Sequence, residues 1–366
     1  MSARFLVAGG GTGGHVTPAL ALAEELGAGG DEVLILGSQR GLETELVPAA
    51  GFALLTLPSQ QFVGKSLAHR LGAAAGLLRT TAGALRVLRR FRPDVVISVG
   101  GYAAAPAVLA AALSRTPLAI LEPNAIPGRV NRLAARIARR VFVGLEAAGA
   151  RLAVPPERVR AFGVPLRRAL RASFETNAPR RRPAPPFRLL VFGGSQGARQ
   201  LNSALQDALP HLAGLALEVF HQTGAAEREA VAEAYATAGV AARVVAFEPD
   251  MPARYRWADL AVCRAGALTV AELALAGLPA ILVPLASAAD DHQNENAKAL
   301  AAAGAAQRLD PRGLSGKQLA DAISGLIKDP DGLAEMGRRA ASLARPDAAA
   351  RVAQECRELA RNRRRG

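Results

Sequence analysis

Two stretches of this chain repeat one local design. Residues 4–15 read RFLVAGGGTGGH and residues 188–199 read RLLVFGGSQGAR. Each joins a short apolar run to a glycine-rich turn and then to a helical pattern. An apolar run without alternation suits a strand buried on both faces, the condition of a parallel sheet. A glycine-rich turn that opens a helix is how the first unit of a doubly wound sheet begins. Meeting this design twice predicts two such sheets, and 366 residues are too many for one ordinary core.

The rest of the chain keeps the same rhythm. Apolar runs in the first half are RFLVAG, EVLILG, FALLTL, DVVISVG, PLAILE and RVFVG; the second half has RLLVFGG, LEVFHQTG, ARVVAF, DLAVCRAG and PAILVPL. Helical patterns such as VTPALALAEEL and ARQLNSALQDALPHL lie between them. This alternation predicts an α/β fold of two Rossmann-like, doubly wound domains. TNAPRRRPAPP (176–186) cannot pack a core and reads as a solvated loop. The domains are expected over 1–165 and 166–346, with a helix over 347–366 that packs back on the first. Ligands of open α/β sheets sit beyond the C-terminal ends of the strands. Both glycine-rich turns are therefore expected to face one cleft.

The net charge of +14 favours anionic partners, whether nucleic acid, an anionic membrane or a phosphorylated ligand, or else reflects arginine as the preferred surface residue. Nucleic-acid binding also asks for stacking aromatics, and the chain has one Trp and three Tyr. The two cysteines, Cys263 and Cys356, suggest neither a disulfide framework nor a zinc site. The N-terminus has no secretory pattern, and AAAPAVLAAAL (103–113) is too short to span a bilayer.

GGGTGGH lacks the Gly-Lys-Ser/Thr of a phosphate-binding P-loop. A dinucleotide site would place an acid after the second strand, where EVLILGSQRG has Gly37, Ser38 and Gln39. His15 stands at a helix start, where the dipole disfavours its protonated form. It reads either as a general base facing the cleft or as a capping and packing residue. In GGSQGARQLN (193–202), Ser195 and its neighbours read as a phosphate seat or an ordinary turn. Glu272 is the one charge in ALTVAELALAG. It reads as a partner of ribose hydroxyls or as an acid favoured near a helix start. LASAADDHQNENA (285–297) offers Asp291, His292, Gln293 and Asn294, polar groups of the kind sugars require. Tyr102 and Asn124 lie on further loops at strand ends. No acidic motif for a metal stands out.

In this order and spacing, GGGTGGH, VGGYAAAP, EPNAIPG, GVPLR, GGSQGA, RAGALTVAELALAGLPA and DHQNENA resemble the MurG family of bacterial glycosyltransferases, over nearly the whole chain. The resemblance implies a GT-B fold and an inverting transfer of N-acetylglucosamine (GlcNAc) without metal or other cofactor. The donor is UDP-GlcNAc. The acceptor is the C4 hydroxyl of undecaprenyl-diphospho-MurNAc-pentapeptide. It further implies that Thr12, Gly13 and Gly14 approach the donor's sugar and diphosphate, and that Asn124 meets the GlcNAc. Arg167 and Ser195 would hold the diphosphate; Phe247 and Glu248 would frame the uracil. Ala267, Leu268, Thr269, Val270 and Ala271 would wrap diphosphate and nucleotide, with Glu272 on the ribose. Gln293 would bind sugar hydroxyls and Tyr102 would lie on the acceptor side. Where the family commonly reads His-Glu-Gln-Asn this chain has LEPN, so Leu121 and Pro123 replace polar residues and Asn124 is kept.

A lipid-linked acceptor implies work at the cytoplasmic face of the cell membrane. Residues 62–92 combine Leu and Val with many Lys and Arg and no acid, the composition of an interfacial helix or of a surface helix with one buried face. Expected partners are an anionic membrane surface and other cell-wall and division proteins, and no nucleic acid. The rival readings are another UDP-sugar glycolipid transferase, a UDP-GlcNAc 2-epimerase, and an NAD-dependent oxidoreductase.

Overall fold

The structure, a computed structural model, describes residues 2–58, 67–175, 180–194, 198–286 and 291–365, with 67–74 and 365 described by backbone alone. The chain divides into two units, one formed by residues 1–168 with 345–366 and the other by 169–344.

The first unit alternates strand and helix. It runs β1 (Arg4–Gly9), α1 (Gly13–Ala28), β2 (Glu32–Ser38), α2 (Glu43–Ala49), β3 (Ala53–Leu57), α3 (Leu67–Phe91), β4 (Val95–Gly100), α4 (Ala105–Leu113), β5 (Leu118–Glu122), α5 (Arg129–Ala134), β6 (Arg140–Val143), α6 (Glu146–Ala150) and β7 (Val159–Ala161). All strands are parallel, in the order β3-β2-β1-β4-β5-β6-β7. Side chains alternate across the sheet, so each strand serves two cores. Phe5 and Val7 of β1 join Leu20 and Leu26 of α1 on one face. Leu6 and Ala8 join Leu88 of α3 and Ala107 and Ala111 of α4 on the other.

The second unit begins within α7 (Arg168–Ala172) and repeats the plan. It runs β8 (Phe187–Phe192), α8 (Arg199–Leu212), β9 (Leu217–Gln222), α9 (Arg228–Thr237), β10 (Ala241–Val245), α10 (Met251–Trp257), β11 (Leu260–Cys263), α11 (Ala267–Ala276), β12 (Ala280–Leu282), α12 (His292–Ala302), β13 (Ala306–Arg308), α13 (Gly316–Ile327) and α14 (Pro330–Ser342). Its six parallel strands run β10-β9-β8-β11-β12-β13. The last helix, α15 (Ala348–Arg365), returns to the first unit. Val352, Ala353, Cys356 and Ala360 enter the core beside α1. Arg357 pairs with Asp31 at 2.6 Å, Arg364 with Asp94 at 2.6 Å, and Glu355 with Arg140 at 2.9 Å.

Both sheets reverse strand order beside their first strand, between β1 and β4 and between β8 and β11. Such a reversal opens a crevice at the C-terminal strand ends. The sequence puts GGGTGGH after β1, GGYAA after β4, GGSQGA after β8 and RAGALT after β11. Among the described residues no helix is long and apolar enough to cross a membrane.

Candidate active site

In the first unit the loops after β1 and β4 meet around His15. Gly11, Gly100 and Gly101 have φ of +91°, +94° and +77°, the left-handed region that glycine tolerates best. A Cβ on Gly101 would also lie 2.8 Å from the Gly10 carbonyl oxygen. Thr12 precedes α1 in extended conformation, and its Oγ1 lies 3.1 Å from His15 Nδ1. The His15 ring runs along Gly100, where a Cβ would sit 3.4 Å from Cδ2 and Nε2. The donor in this bond depends on the His15 tautomer; in the form whose Nδ1–H donates to Thr12, Nε2 carries the lone pair that a proton acceptor needs. Tyr102 follows in a short 3-10 turn and is half exposed.

Behind this loop lies a carboxylate that the sequence reading passed over. Glu43 opens α2 and is fully buried. It accepts from Gly11 N–H at 2.8 Å, Ser38 N–H at 2.7 Å and Ser38 Oγ at 2.6 Å. Burial alone would raise its pKa, but these donors outweigh burial and hold the carboxyl below its ordinary value.

A second network fixes the loop after β5. Glu122, also buried, accepts from Asn124 N–H, Gly128 N–H and Asn131 Nδ2, each at 3.0 Å. Ser98 Oγ donates to Asn131 Oδ1 at 2.9 Å, tying the loop to β4. Burial pushes the Glu122 carboxyl above its ordinary value, against the pull of those donors. Asn124 is thus positioned through its backbone by the Glu of LEPN. Arg167, expected with Ser195 at the diphosphate, lies in the first unit and pairs with Glu24 at 2.5 Å.

In the second unit a cavity of about 550 Å³ lies between the ends of β8 and β11 and the start of α12. Gly193, Arg199, Gln200, Arg264 and Gln293 are among its lining residues. Ser195, the polar residue expected of the GGSQGA turn, lies outside the described residues. Arg264 is buried and donates to the carbonyls of Val283 and Pro284 at 3.1 and 2.8 Å. Gln293 Oε1 accepts from Leu285 N–H at 2.9 Å, while Asn294 is engaged by Asp291 and Arg308.

The N-terminus of α11 has N–H groups without acceptors within the helix. Ala267, Leu268 and Thr269 form that first turn. Val270 does not belong with them: its N–H bonds Gly266 O and its side chain is in the core. Glu272 lies past the first turn, beyond the reach of the helix dipole that would explain an acid at a helix start. Its carboxylate accepts from Tyr255 Oη at 2.7 Å. Burial pushes it up to about 7, while the Tyr255 hydroxyl pulls the other way.

Phe247 is largely exposed. Glu248, beside it, pairs with Arg254 at 3.4 Å. Gln222, at the end of β9, joins the two loops on this side. Its Nε2 donates to Gly194 O at 2.8 Å and its Oε1 accepts from Glu248 N–H at 3.0 Å.

Residues 5–143 match the N-terminal domain of glycosyltransferase family 28, and residues 188–352 match its C-terminal domain. Over 366 residues the chain is 46% identical to the UDP-N-acetylglucosamine–N-acetylmuramyl-(pentapeptide) pyrophosphoryl-undecaprenol N-acetylglucosamine transferase of Alkalilimnicola ehrlichii, covering 99% of this chain and all of that one. The like-named protein of an Anaeromyxobacter species is 45% identical, covering 98% of this chain and 94% of the relative. The chain belongs to glycosyltransferase family 28. Its fold is also that of a solved MurG from Acinetobacter baumannii, with a TM-score of 0.81, 32% identity, and coverage of 97% of this chain and 99% of that one. A UDP-GlcNAc 2-epimerase from Neisseria meningitidis shares the fold alone, with a TM-score of 0.70 at 14% identity.

Within this family-28 chain, the structure brings Thr12, Gly13, Gly14 and His15 together beside Gly100–Tyr102. It brings Gln293 to the cavity of the second unit, Glu272 to Tyr255, and Phe247 and Glu248 to one loop. Glu43, Glu122, Asn131, Gln222 and Arg264 support these groups. Glu122 did stand inside a quoted motif, EPNAIPG, but as a neighbour of Asn124 rather than as its anchor.

Proposed function

We propose that the chain moves GlcNAc from UDP-GlcNAc to the C4 hydroxyl of undecaprenyl-diphospho-MurNAc-pentapeptide, with inversion at the anomeric carbon. One observation carries the reading: identity of 45–46% along essentially the full length with transferases named for that reaction.

The second unit takes the donor. Its cavity has the Arg264 cation and helix N-termini at one site, a good seat for an anionic leaving group. The N–H groups of Ala267, Leu268 and Thr269 meet the diphosphate, with Ala271 and Val270 behind them on the helix. Ser195 and Arg167 are assigned to the same diphosphate, Arg167 through the part of its guanidinium not held by Glu24. Glu272 accepts ribose hydroxyls, Phe247 and Glu248 flank the uracil, and Gln293 and Asn124 bond the sugar.

His15 Nε2 takes the proton of the C4 hydroxyl as that oxygen attacks the anomeric carbon. The bond from that carbon to the β-phosphate oxygen breaks, and UDP leaves with its charge met by the helix N-termini and Arg264. Thr12 holds the imidazole through Nδ1, Gly13 and Gly14 leave room for the substrates, and Tyr102 lies on the acceptor side.

The acceptor's lipid calls for a membrane-facing surface. Leu78 of α3, Leu113 of α4, and Leu133 and Ile137 in and just after α5 are 73%, 69%, 65% and 52% exposed. They lie on the sheet face that α3, α4 and α5 share, with Arg79, Arg86, Arg115, Arg132 and Arg136 exposed beside them. Apolar side chains ringed by cations suit an interface rich in anionic lipid. We assign this surface to peripheral binding at the cytoplasmic face of the membrane, where other cell-wall and division proteins are the expected neighbours.

The deciding experiment follows UDP release from UDP-GlcNAc with and without the lipid-linked muramyl acceptor. Release that depends on the acceptor, with a disaccharide product, is expected. Conversion of UDP-GlcNAc without acceptor overturns the proposal in favour of an epimerase.

A further inference from the structure

We infer that Glu43 is a positioning residue for the transfer: its carboxylate is a built-in anion that locks the GGGTGGH loop so that Thr12 and His15 are correctly placed. The inference rests on the assignment of His15 as proton acceptor. It adds a residue that makes no assigned contact with either substrate.

The carboxylate has a built seat. Gly10 follows β1, Gly37 lies in β2 and Gly41 precedes α2. A Cβ on any of them would fall within 2.2, 2.6 or 2.0 Å of Glu43 atoms. Three glycines from three segments therefore make the space that one side chain fills. Inside it, both carboxylate oxygens are taken: Oε1 by Ser38 N–H and Oγ, Oε2 by Gly11 N–H.

The bond to Gly11 is what holds the loop. A Cβ on Gly11 would meet nothing within 4 Å, and one on Gly13 only Leu42 Cδ1 at 3.9 Å. Side-chain packing is thus nearly absent there. Gly11, at φ +91°, adjoins Thr12, whose hydroxyl lies 3.1 Å from the His15 ring. The lock and the catalytic pair are one residue apart in the chain.

The seat also explains a gap in the dinucleotide pattern. A Rossmann site places its acid at the end of the second strand, facing a ribose, and leaves the glycine-loop N–H groups to a phosphate. Here Ser38 takes that strand position, and the acid comes five residues later, turned inward onto Gly11 N–H.

The test uses Glu43→Ala and Glu43→Gln in the full-length protein. For Glu43→Ala, kcat is expected to fall about a hundredfold, the cost of a catalytic group displaced by about 1 Å. The KM for UDP-GlcNAc should stay close to wild type, because most of the assigned donor contacts lie in the second unit and Glu43 touches neither Asn124 nor Arg167. Sodium formate, small enough for the emptied seat, should restore kcat; sodium chloride at equal ionic strength should not. Glu43→Gln, whose amide fills the seat but turns an N–H toward the donors, should lose kcat and gain nothing from formate. If Glu43→Ala does not fold, Glu43→Gln decides by the same split between kcat and KM. Unchanged kcat in either variant, or a loss without formate rescue and with a parallel loss of donor affinity, overturns the inference. His15→Ala runs alongside. If it keeps full turnover, the proton-acceptor assignment falls, while formate rescue still decides whether the loop lock exists.

Discussion

The two glycine-rich turns occupy the same place in the same topology and do opposite things with charge. After β1, the loop carries its own anion: Glu43 fills the seat and takes the Gly11 N–H from inside. After β8 a cavity of about 550 Å³ opens instead; among the described residues that line it are the cations Arg199 and Arg264 and no carboxylate. One loop is closed by the fold and is left to place an imidazole. The cavity beside the other suits an anion brought by a ligand. Equivalent strand order therefore predicts where a site lies, but the charges placed beside the loop decide what it can bind.

The largest effect should come from the closed loop. His15→Ala removes the proposed proton acceptor and should lower kcat by about 10²–10⁴, the usual range for general base catalysis. The affinity for UDP-GlcNAc, measured by calorimetry, should stay close to wild type. If affinity and kcat fall together, His15 belongs with donor binding and the contrast between the two loops breaks down.

The open side should show a smaller effect that depends on pH. The Glu272 carboxyl titrates near 7 in the free protein because burial disfavours its charge. The ionised form is the better acceptor for ribose hydroxyls. Donor affinity should therefore rise with pH, by about tenfold between pH 6 and 8 if only the ionised form binds. The diphosphate of UDP-GlcNAc is a diester and keeps its charge throughout this range. Glu272→Gln should flatten the profile, and so should a donor lacking the ribose 2′-hydroxyl. A profile that survives Glu272→Gln would assign the titration elsewhere.

What the sequence showed and hid follows one physical line. Buried strands leave apolar runs, so β1 to β6 and β8 to β12 were legible. β7 and β13 were not: VRA and AQR are three-residue edge strands, paired on one side only, with no apolar run. Groups inside one motif, such as Thr12 with His15, were legible as neighbours. Glu43 and Gly11 are 32 residues apart, and only the pairing of β1 with β2 brings them together. Gln222 and Arg264 were hidden in the same way. Val270 shows the converse: it shares a motif with Thr269, but the helical turn sends its side chain into the core.

The smallest effect is present at neutral pH, fades in mild acid, and separates how the two units are supported. Behind Glu43 stands charge; behind α8 stands a network centred on a neutral imidazole. His221 is buried, with Nδ1 3.1 Å from Tyr235 Oη and Nε2 3.1 Å from Asn202 Oδ1. Asn202 Nδ2 donates to Thr223 O at 3.0 Å and to Glu227 at 2.7 Å, so its oxygen accepts from His221 Nε2–H. Burial lowers the His221 pKa from 6.5 to about 3. Between those values the unfolded chain binds a proton that the folded chain refuses. The stability His221 contributes is thus present above about 6.5 and is lost as pH falls, by about 1.4 kcal/mol per unit. Glu43 differs: its folded pKa lies below the ordinary 4.5, so its contribution persists until pH falls past that value. His221→Gln should cost about 1–3 kcal/mol near pH 7, from imperfectly paired buried groups. That gap should close as pH falls toward 5, because the variant has no imidazole to protonate. Trp257, the single tryptophan, lies in the second unit and reports its urea unfolding by fluorescence. A gap that stays constant from pH 7 to 5 would mean that His221 is protonated within the fold, and that the imidazole behind α8 is charged like the carboxylate behind the GGGTGGH loop.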